Sequence, residues 1–147
     1  MTSVHIYNQQ TGLALSTEQY RRCVVKTLTF FDVRQADLSV VIVTDRKIQA
    51  INRRFLGHDH PTDVISFDLG DPYSKDGIEG EIYVSAVTAR RNAREYRTSA
   101  EYELTLYMVH GILHLLGYDD HAPADIKTMR AKESEVMEYL GMPGQGK

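Results

Sequence analysis

Residues Asp37–Thr44 read DLSVVIVT, and this run narrows the available folds more than any other stretch of the chain. It is β-branched and apolar along most of its length, which is the composition of a central strand. Leu38–Val43 is also far too short to cross a bilayer. A central strand needs a core around it. With 147 residues, 42% of them hydrophobic, the chain has material for one domain with a sizeable core. A quarter of the residues are charged and no low-complexity tract occurs, which argues against global disorder.

Around that strand the local signals fall into order. Val4–Tyr7 reads as a short first strand. Ser16 and Gln19 form a capping-box pair ahead of a helix to about Phe31, with Tyr20, Val24, Leu28 and Phe31 at helical spacing. Thr44 or Asp45 caps a second helix running to about Phe55 and stopping at Gly57. Pro61 interrupts any helix, and Val64–Leu69 reads as a strand. The turn-rich DPYSKDG follows, then Glu79–Ser85 as a strand, and the two strands suit a hairpin. Three helices are expected over about 86–96, 100–116 and 123–140, with Pro123 in a first turn and Gly141 as a stop. Strands in the middle and helices at the ends predict an α+β fold, with a mixed, roughly four-stranded sheet and about five helices. No internal repeat or linker divides residues 1–147, so a single domain is expected, with residues 141–147 as a frayed tail.

Composition also bounds function. The N-terminal MTSVHIYNQQ has neither a basic start nor a long apolar stretch, so no secretory signal is visible and a cytoplasmic, membrane-free protein is expected. Cys23 is the only cysteine, which excludes an internal disulfide and a cysteine-rich zinc site. Its helical position suits burial and chemical inertness. The net charge of −3 argues against a generally basic nucleic-acid coat but leaves room for a local basic face.

The stretch HGILHLLGYDDH, His110–His121, carries the chemistry. Leu104, Met108, Ile112 and Leu115 give the helix expected over 100–116 a buried stripe. His110 and His114 are four apart, so their imidazoles stand one above the other on a single face. One helix can thereby offer two nitrogens to one metal ion. Gly117 lets the chain leave through a left-handed conformation, and Asp119, Asp120 and His121 can then return toward the pair. A histidine pair alone is more often a surface or core pair than a pair of ligands; the glycine stop with donors directly behind it reverses that and favours a metal site. In the zinc-peptidase motif H-E-x-x-H a glutamate beside the first histidine is the general base, and here that position is Gly111. A peptidase is disfavoured.

With these residues in view, the chain resembles the YbeY family of bacterial rRNA maturation factors, metal-dependent endoribonucleases. The family hallmark H-G-x-L-H-L-x-G-Y-D-H is matched by His110–Asp119 up to its last position. A second block, N-x-x-Y-R-x-x-D-x-P-T-D-V-L-S-F, is matched by Asn52 and Phe55–Phe67, and GEIYVS is similar to the family's G-D-I-x-I-S strand. Two departures stand out. Asp120 occupies the place of the family's third histidine, and His121 comes one residue later. Ungapped spacing to Met129, in the last helix, favours Asp120 as the third ligand, with His121 as the alternative. Leu56 stands where many members carry an arginine associated with RNA cleavage, and Arg53 and Arg54 point elsewhere on a helix.

The resemblance implies one Zn2+ per chain, held by His110, His114 and Asp120 with a fourth position open, as in a catalytic zinc site. It implies a single-strand-specific endoribonuclease in rRNA maturation and ribosome biogenesis, with processing of 16S rRNA and the small ribosomal subunit as partner. Arg90, Arg94 and Arg97, flanked by Arg91, recur at helical spacing; Arg46, Lys47, Arg53 and Arg54 form a second cluster. By themselves these are solvated faces, but an RNA substrate makes Arg90, Arg94, Arg97, Arg53 and Arg54 the leading phosphate contacts. His58 and His60 are candidates to approach the metal cleft, while turn chemistry accounts for Asp59 and Pro61 and Asp63 is placed to cap the loop. Tyr118 and Asp119 are expected to shape the turn beside the ligands. A ribosome-assembly binding factor with a structural metal is the rival, since it accommodates Gly111 and Leu56. A metal-dependent hydrolase of another substrate is third.

Overall fold

In the computed structural model, which describes residues 2–70 and 77–142, DLSVVIVT forms the inner strand of a sheet. This strand, β2 (Ala36–Val43), lies between β1 (Thr2–Asn8) and β4 (Ile78–Ser85) and is parallel to both. β3 (Val64–Asp68) closes the order β1-β2-β4-β3 by pairing antiparallel with β4, so the sheet is mixed and four-stranded as expected. The connection DPYSKDG falls almost wholly on residues 71–76, which lie outside the described residues.

Alternation along β2 loads both faces. Leu38, Val40 and Ile42 join a cluster with Val24 and Leu28 of α1 (Thr17–Phe30) and Ile112 of α4 (Ala100–Leu115). Val41 and Val43 face the other way, onto Ile48 and Ile51 of α2 (Asp45–Ile51). With a period of two, a strand buried on both sides reads as the continuous apolar run seen here. α3 (Ala86–Tyr96) follows β4 directly, and α5 (Pro123–Tyr139) packs on α4 from outside.

About five α-helices were expected and five form among the described residues, with caps that explain their limits. Ser16, Thr44, Ser85 and Ser99 each accept a hydrogen bond from the backbone N–H three residues on. The capping box at Ser16 is only half made, because the Gln19 side chain reaches Glu101 instead of turning back. The helix expected through Phe55 ends at Ile51 and widens into a π-helical turn over Asn52–Leu56 before Gly57 at φ 74°. The chain closes α5 through Gly141, at φ 76°, and the Met142 N–H bonds Met137 O at 2.7 Å. Residues 141 and 142 are therefore tied down rather than frayed; the rest of the expected tail, 143–147, lies outside the described residues. Among the described residues no helix is long and apolar enough to cross a membrane.

α4 is the helix that positions the site. It carries two buried stripes, where the sequence pattern showed one. Leu104, Met108, Ile112 and Leu115 pack toward the sheet, while Tyr102, Val109 and Leu113 pack on Met129, Val136 and Met137 of α5. At 100° per residue these stripes leave a third ridge, Glu103, Tyr107, His110 and His114.

Candidate metal centre and adjoining cleft

Gly111 sets how close α4 lies to the sheet. A Cβ at this position would stand 2.8 Å from Ile82 Cγ2 and 2.9 Å from Ser66 Oγ. The side-chain position next to His110 is thus pressed onto β3 and β4, turned away from the histidine ridge. The absence of a glutamate there has a packing cause.

At the other end of α4, Gly117 takes φ 101° and donates its N–H to His114 O at 3.0 Å, while the Tyr118 N–H bonds Leu113 O at 3.0 Å. The chain reverses, and Asp119 Oδ1 accepts the Asp120 N–H at 2.8 Å. Tyr118 packs against Phe31 with ring centroids 6.3 Å apart. Both residues shape the turn, and the turn lays Asp120 over the histidines.

Three donor atoms converge. His110 Nε2 and His114 Nε2 are 3.0 Å apart. Asp120 Oδ2 is 3.4 Å from the first and 3.5 Å from the second. An ion bound tetrahedrally at about 2.0–2.1 Å spans donor–donor edges of roughly 3.3 Å. The observed triangle has that size, so His110, His114 and Asp120 could hold a divalent ion without rearrangement. His121 does not join the histidine pair: its side chain is 86% exposed, its Nε2 pairs with Asp119 Oδ1 at 3.3 Å, and it groups with Asp119 and Asp120 on the exposed side of the turn.

The residue missed in the sequence is Glu133. Its side chain is 5% exposed, and Oε2 lies 2.6 Å from His110 Nδ1 while Oε1 accepts from Arg130 at 2.8 Å. Burial alone would raise this carboxyl, but hydrogen bonds from His110 and Arg130, with their charges, hold it below the ordinary carboxylate value. The arrangement is a carboxylate–histidine pair: Nδ1 is engaged by Glu133, leaving Nε2 for the donor triangle. A signal for it existed, since Met129, Glu133, Val136 and Met137 form one stripe in which a carboxylate is out of place.

Beside Glu133 a cleft of about 700 Å3 opens between α3, α4, α5 and the loop before β3, lined by Asp63, Asn92, Tyr96, Glu103, Tyr107 and Arg130 among others. At the end of that loop Asp63 Oδ1 accepts the Val64 N–H at 2.8 Å.

The other candidates lie apart from this centre. Arg90 and Arg94 share one flank of α3, but Asn92 and Tyr96, which line the cleft, are on the opposite flank. Arg90 lies beside Gly12. Arg97 has left the helix, as its left-handed cap at φ 58°, so the three do not form one continuous stripe. Arg91 pairs with Asp45 at 3.5 Å. Arg53 and Arg54 are exposed on the π-helical turn, where Arg54 lies 5.3 Å from the Phe55 ring centroid. Leu56 is exposed at the end of that turn. His58 and His60 are exposed with ring centroids 5.7 Å apart, and among the described residues neither joins a metal-ligating group. Cys23 is half-buried and burial raises its thiol, in keeping with inertness.

Comparison with known proteins agrees with this picture. The family model "Endoribonuclease YbeY" matches residues 5–141. A relative named endoribonuclease YbeY from Anaeromyxobacter dehalogenans is 42% identical, over 96% of this chain and 73% of that protein. Another so named, from Syntrophotalea carbinolica, is 38% identical over 92% of this chain and 94% of its own length. With a third, from Anaeromyxobacter sp. strain Fw109-5, the 43% identical match spans only 57% of that protein. The solution structure of TM1509 from Thermotoga maritima is 26% identical, with a TM-score of 0.60 over the whole of this chain and 97% of that one. The chain belongs to the endoribonuclease YbeY family.

Proposed function

We propose that this chain is a zinc-dependent, single-strand-specific endoribonuclease that acts in rRNA maturation, with 16S rRNA in the small ribosomal subunit as its target. The observation that carries the reading is the donor triangle of His110 Nε2, His114 Nε2 and Asp120 Oδ2, with edges of 3.0, 3.4 and 3.5 Å. Two imidazoles and a carboxylate suit zinc, and three protein donors leave a position open. Zinc supplies Lewis acidity, polarising a phosphoryl oxygen and acidifying water.

The chain's own residues do the rest. Glu133 fixes the ring of His110 by engaging Nδ1, which leaves Nε2 as the atom that would hold the ion. Arg130 is tethered to Glu133 at 2.8 Å and keeps its other N–H donors for a phosphate beside the triangle. Arg90, Arg94, Arg97, Arg53 and Arg54 hold the backbone of the RNA outside the cleft, giving affinity and salt dependence without sequence choice. Gly111 does not speak for the assembly-factor rival, because its bare Cα is required by the sheet.

Affinity and cleavage measured together on one single-stranded 16S rRNA fragment test this. Wild type with zinc should cut, chelated protein should not, and His110→Ala should bind within a few-fold of wild type while losing cleavage. Zinc-loaded wild type that binds without cutting, with contaminating nuclease excluded, would favour the assembly factor. His110→Ala cutting at the wild-type rate would sink the metal mechanism.

A further inference from the structure

Glu103, Tyr107, His110 and His114 succeed one another at spacings of four, three and four residues, so the cleft and the donor triangle share one ridge of α4. Glu103 lies roughly 10 Å along the helix axis from His110, at 1.5 Å per residue. This is comparable to the reach from a phosphate to the far edge of its own base.

The lining of the cleft shows what it takes. Glu103 is 2% exposed, and its carboxylate accepts a hydrogen bond from Thr98 Oγ1 at 2.7 Å. A carboxylate accepts at about four positions, and a buried one calls for donors or a cation. The ion-paired carboxylate of the cleft is Glu133, which already serves His110 and Arg130. Asn92 Nδ2 donates to Tyr107 Oη at 2.8 Å, which leaves the phenol its own proton to donate and Asn92 its carbonyl to accept. Burial holds the Tyr107 phenol well above its ordinary value, so it stays protonated. Tyr96, 44% exposed, adds an aromatic surface at the mouth. Among the described residues that line the cleft, Asp63, Glu103 and Glu133 stand against one cation, Arg130, so the interior away from Arg130 disfavours phosphate. A neutral, planar, donor-bearing group belongs inside, with its phosphate left at Arg130 and the donor triangle.

We infer that the cleft is the nucleobase subsite for the RNA strand and that it selects guanine through Glu103. This rests on the endoribonuclease reading. Guanine is the base whose Watson–Crick edge carries two adjacent N–H donors, N1 and N2, matching the paired acceptors of a carboxylate. Adenine and cytosine offer one amino group beside an acceptor nitrogen, and uracil one imino group between two carbonyls. Aromatic rings supply stacking for any base, so discrimination falls to the carboxylate.

The test uses zinc-loaded full-length protein and single-stranded oligonucleotides that differ at one position: guanosine, inosine, adenosine, cytidine or uridine. Cleavage rate, cleavage site and equilibrium affinity are measured for each. Guanosine should be favoured about ten-fold or more over the other natural bases, and inosine, lacking the 2-amino donor, should lose several-fold. Glu103→Gln should bring guanosine down toward adenosine with metal content unchanged by elemental analysis. If that variant does not fold, the inosine comparison on wild type decides. Equal rates and equal affinities for all five oligonucleotides overturn the guanine subsite. Wild type that cuts every one alike refutes only this inference. Wild type that prefers guanosine in binding yet cuts nothing supports the subsite and removes the nuclease reading.

Discussion

Replacing Glu133 by glutamine isolates what this buried carboxylate does for the donor triangle. Its two oxygens serve two different donors: Oε2 lies 2.6 Å from His110 Nδ1 and Oε1 lies 2.8 Å from Arg130 Nη1. Glutamine keeps the shape but has one acceptor oxygen, so one of the two bonds must go. Arg130 is 67% exposed and can turn to water, whereas His110 is 15% exposed and cannot. The amide oxygen should therefore stay on His110, preserving its tautomer while the negative charge and the Arg130 tether are lost. That predicts a fall in zinc affinity at the lower end of the roughly 10–100-fold range for partners of metal-bound histidines. Glu133→Ala removes the acceptor altogether, leaves Nδ1 unpaired and opens a cavity. It should reach the upper end and cost about 2–4 kcal/mol of stability. Arg130→Ala, which cuts an exposed contact only, should cost no more than about 1 kcal/mol. Competition against a chromogenic chelator gives the affinities, and unfolding with and without chelator separates metal loss from fold loss. Glu133→Gln binding zinc within about two-fold of wild type would refute the reasoning.

Three further outcomes follow from particular contacts. Gly111→Ala gains about 1 kcal/mol of helix propensity but meets Ile82 and Ser66 below 3.0 Å, at an overpacking cost of about 1–3 kcal/mol. Denaturant titration should show a net loss, with weaker zinc binding; a raised midpoint would mean the helix and sheet have slack. Asp120→Ala should lower zinc affinity far more than His121→Ala, since Asp120 Oδ2 lies within 3.5 Å of both imidazoles and His121 is 86% exposed. A larger loss in His121→Ala, in the same competition assay, would transfer the third ligand to it. Arg90→Ala with Arg94→Ala should flatten the dependence of log affinity on log salt by about 1.4, at roughly 0.7 per single-strand phosphate contact. An unchanged slope would place the RNA elsewhere.

What was legible in the sequence is what local physics decides. The β-branched run of β2, the caps Ser16 and Thr44 and the stop Gly141 act within a few residues, and each lies within a residue of where it was read. The histidine pair was legible for the same reason, because spacing on one helix is a local fact. Glu133 was not, since it meets His110 from a helix 23 residues on. The arginines show the limit differently. Periodicity put Arg90 and Arg94 on one flank of α3, but which flank faces the cleft depends on how α3 sits on α4, and the cleft took Asn92 and Tyr96. The π-helical turn over 52–56 was likewise hidden, as its residues fit an ordinary helix as well.

Gly111 shows how a correct local observation acquires a different cause. Read alone, a glycine in place of the peptidase glutamate speaks about chemistry, as though a catalytic group had been withheld. In the fold the position is filled by Ile82 Cγ2 and Ser66 Oγ, so a glutamate there would drive α4 off the sheet. The same close approach seats His110 and His114 at the depth where Asp120 and Glu133 reach them from two other segments. A bare Cα is thus a condition for assembling the donor triangle. Any group that moves protons during cleavage has to come from another position, and the ridge and cleft beside Arg130 are where the chain supplies polar side chains.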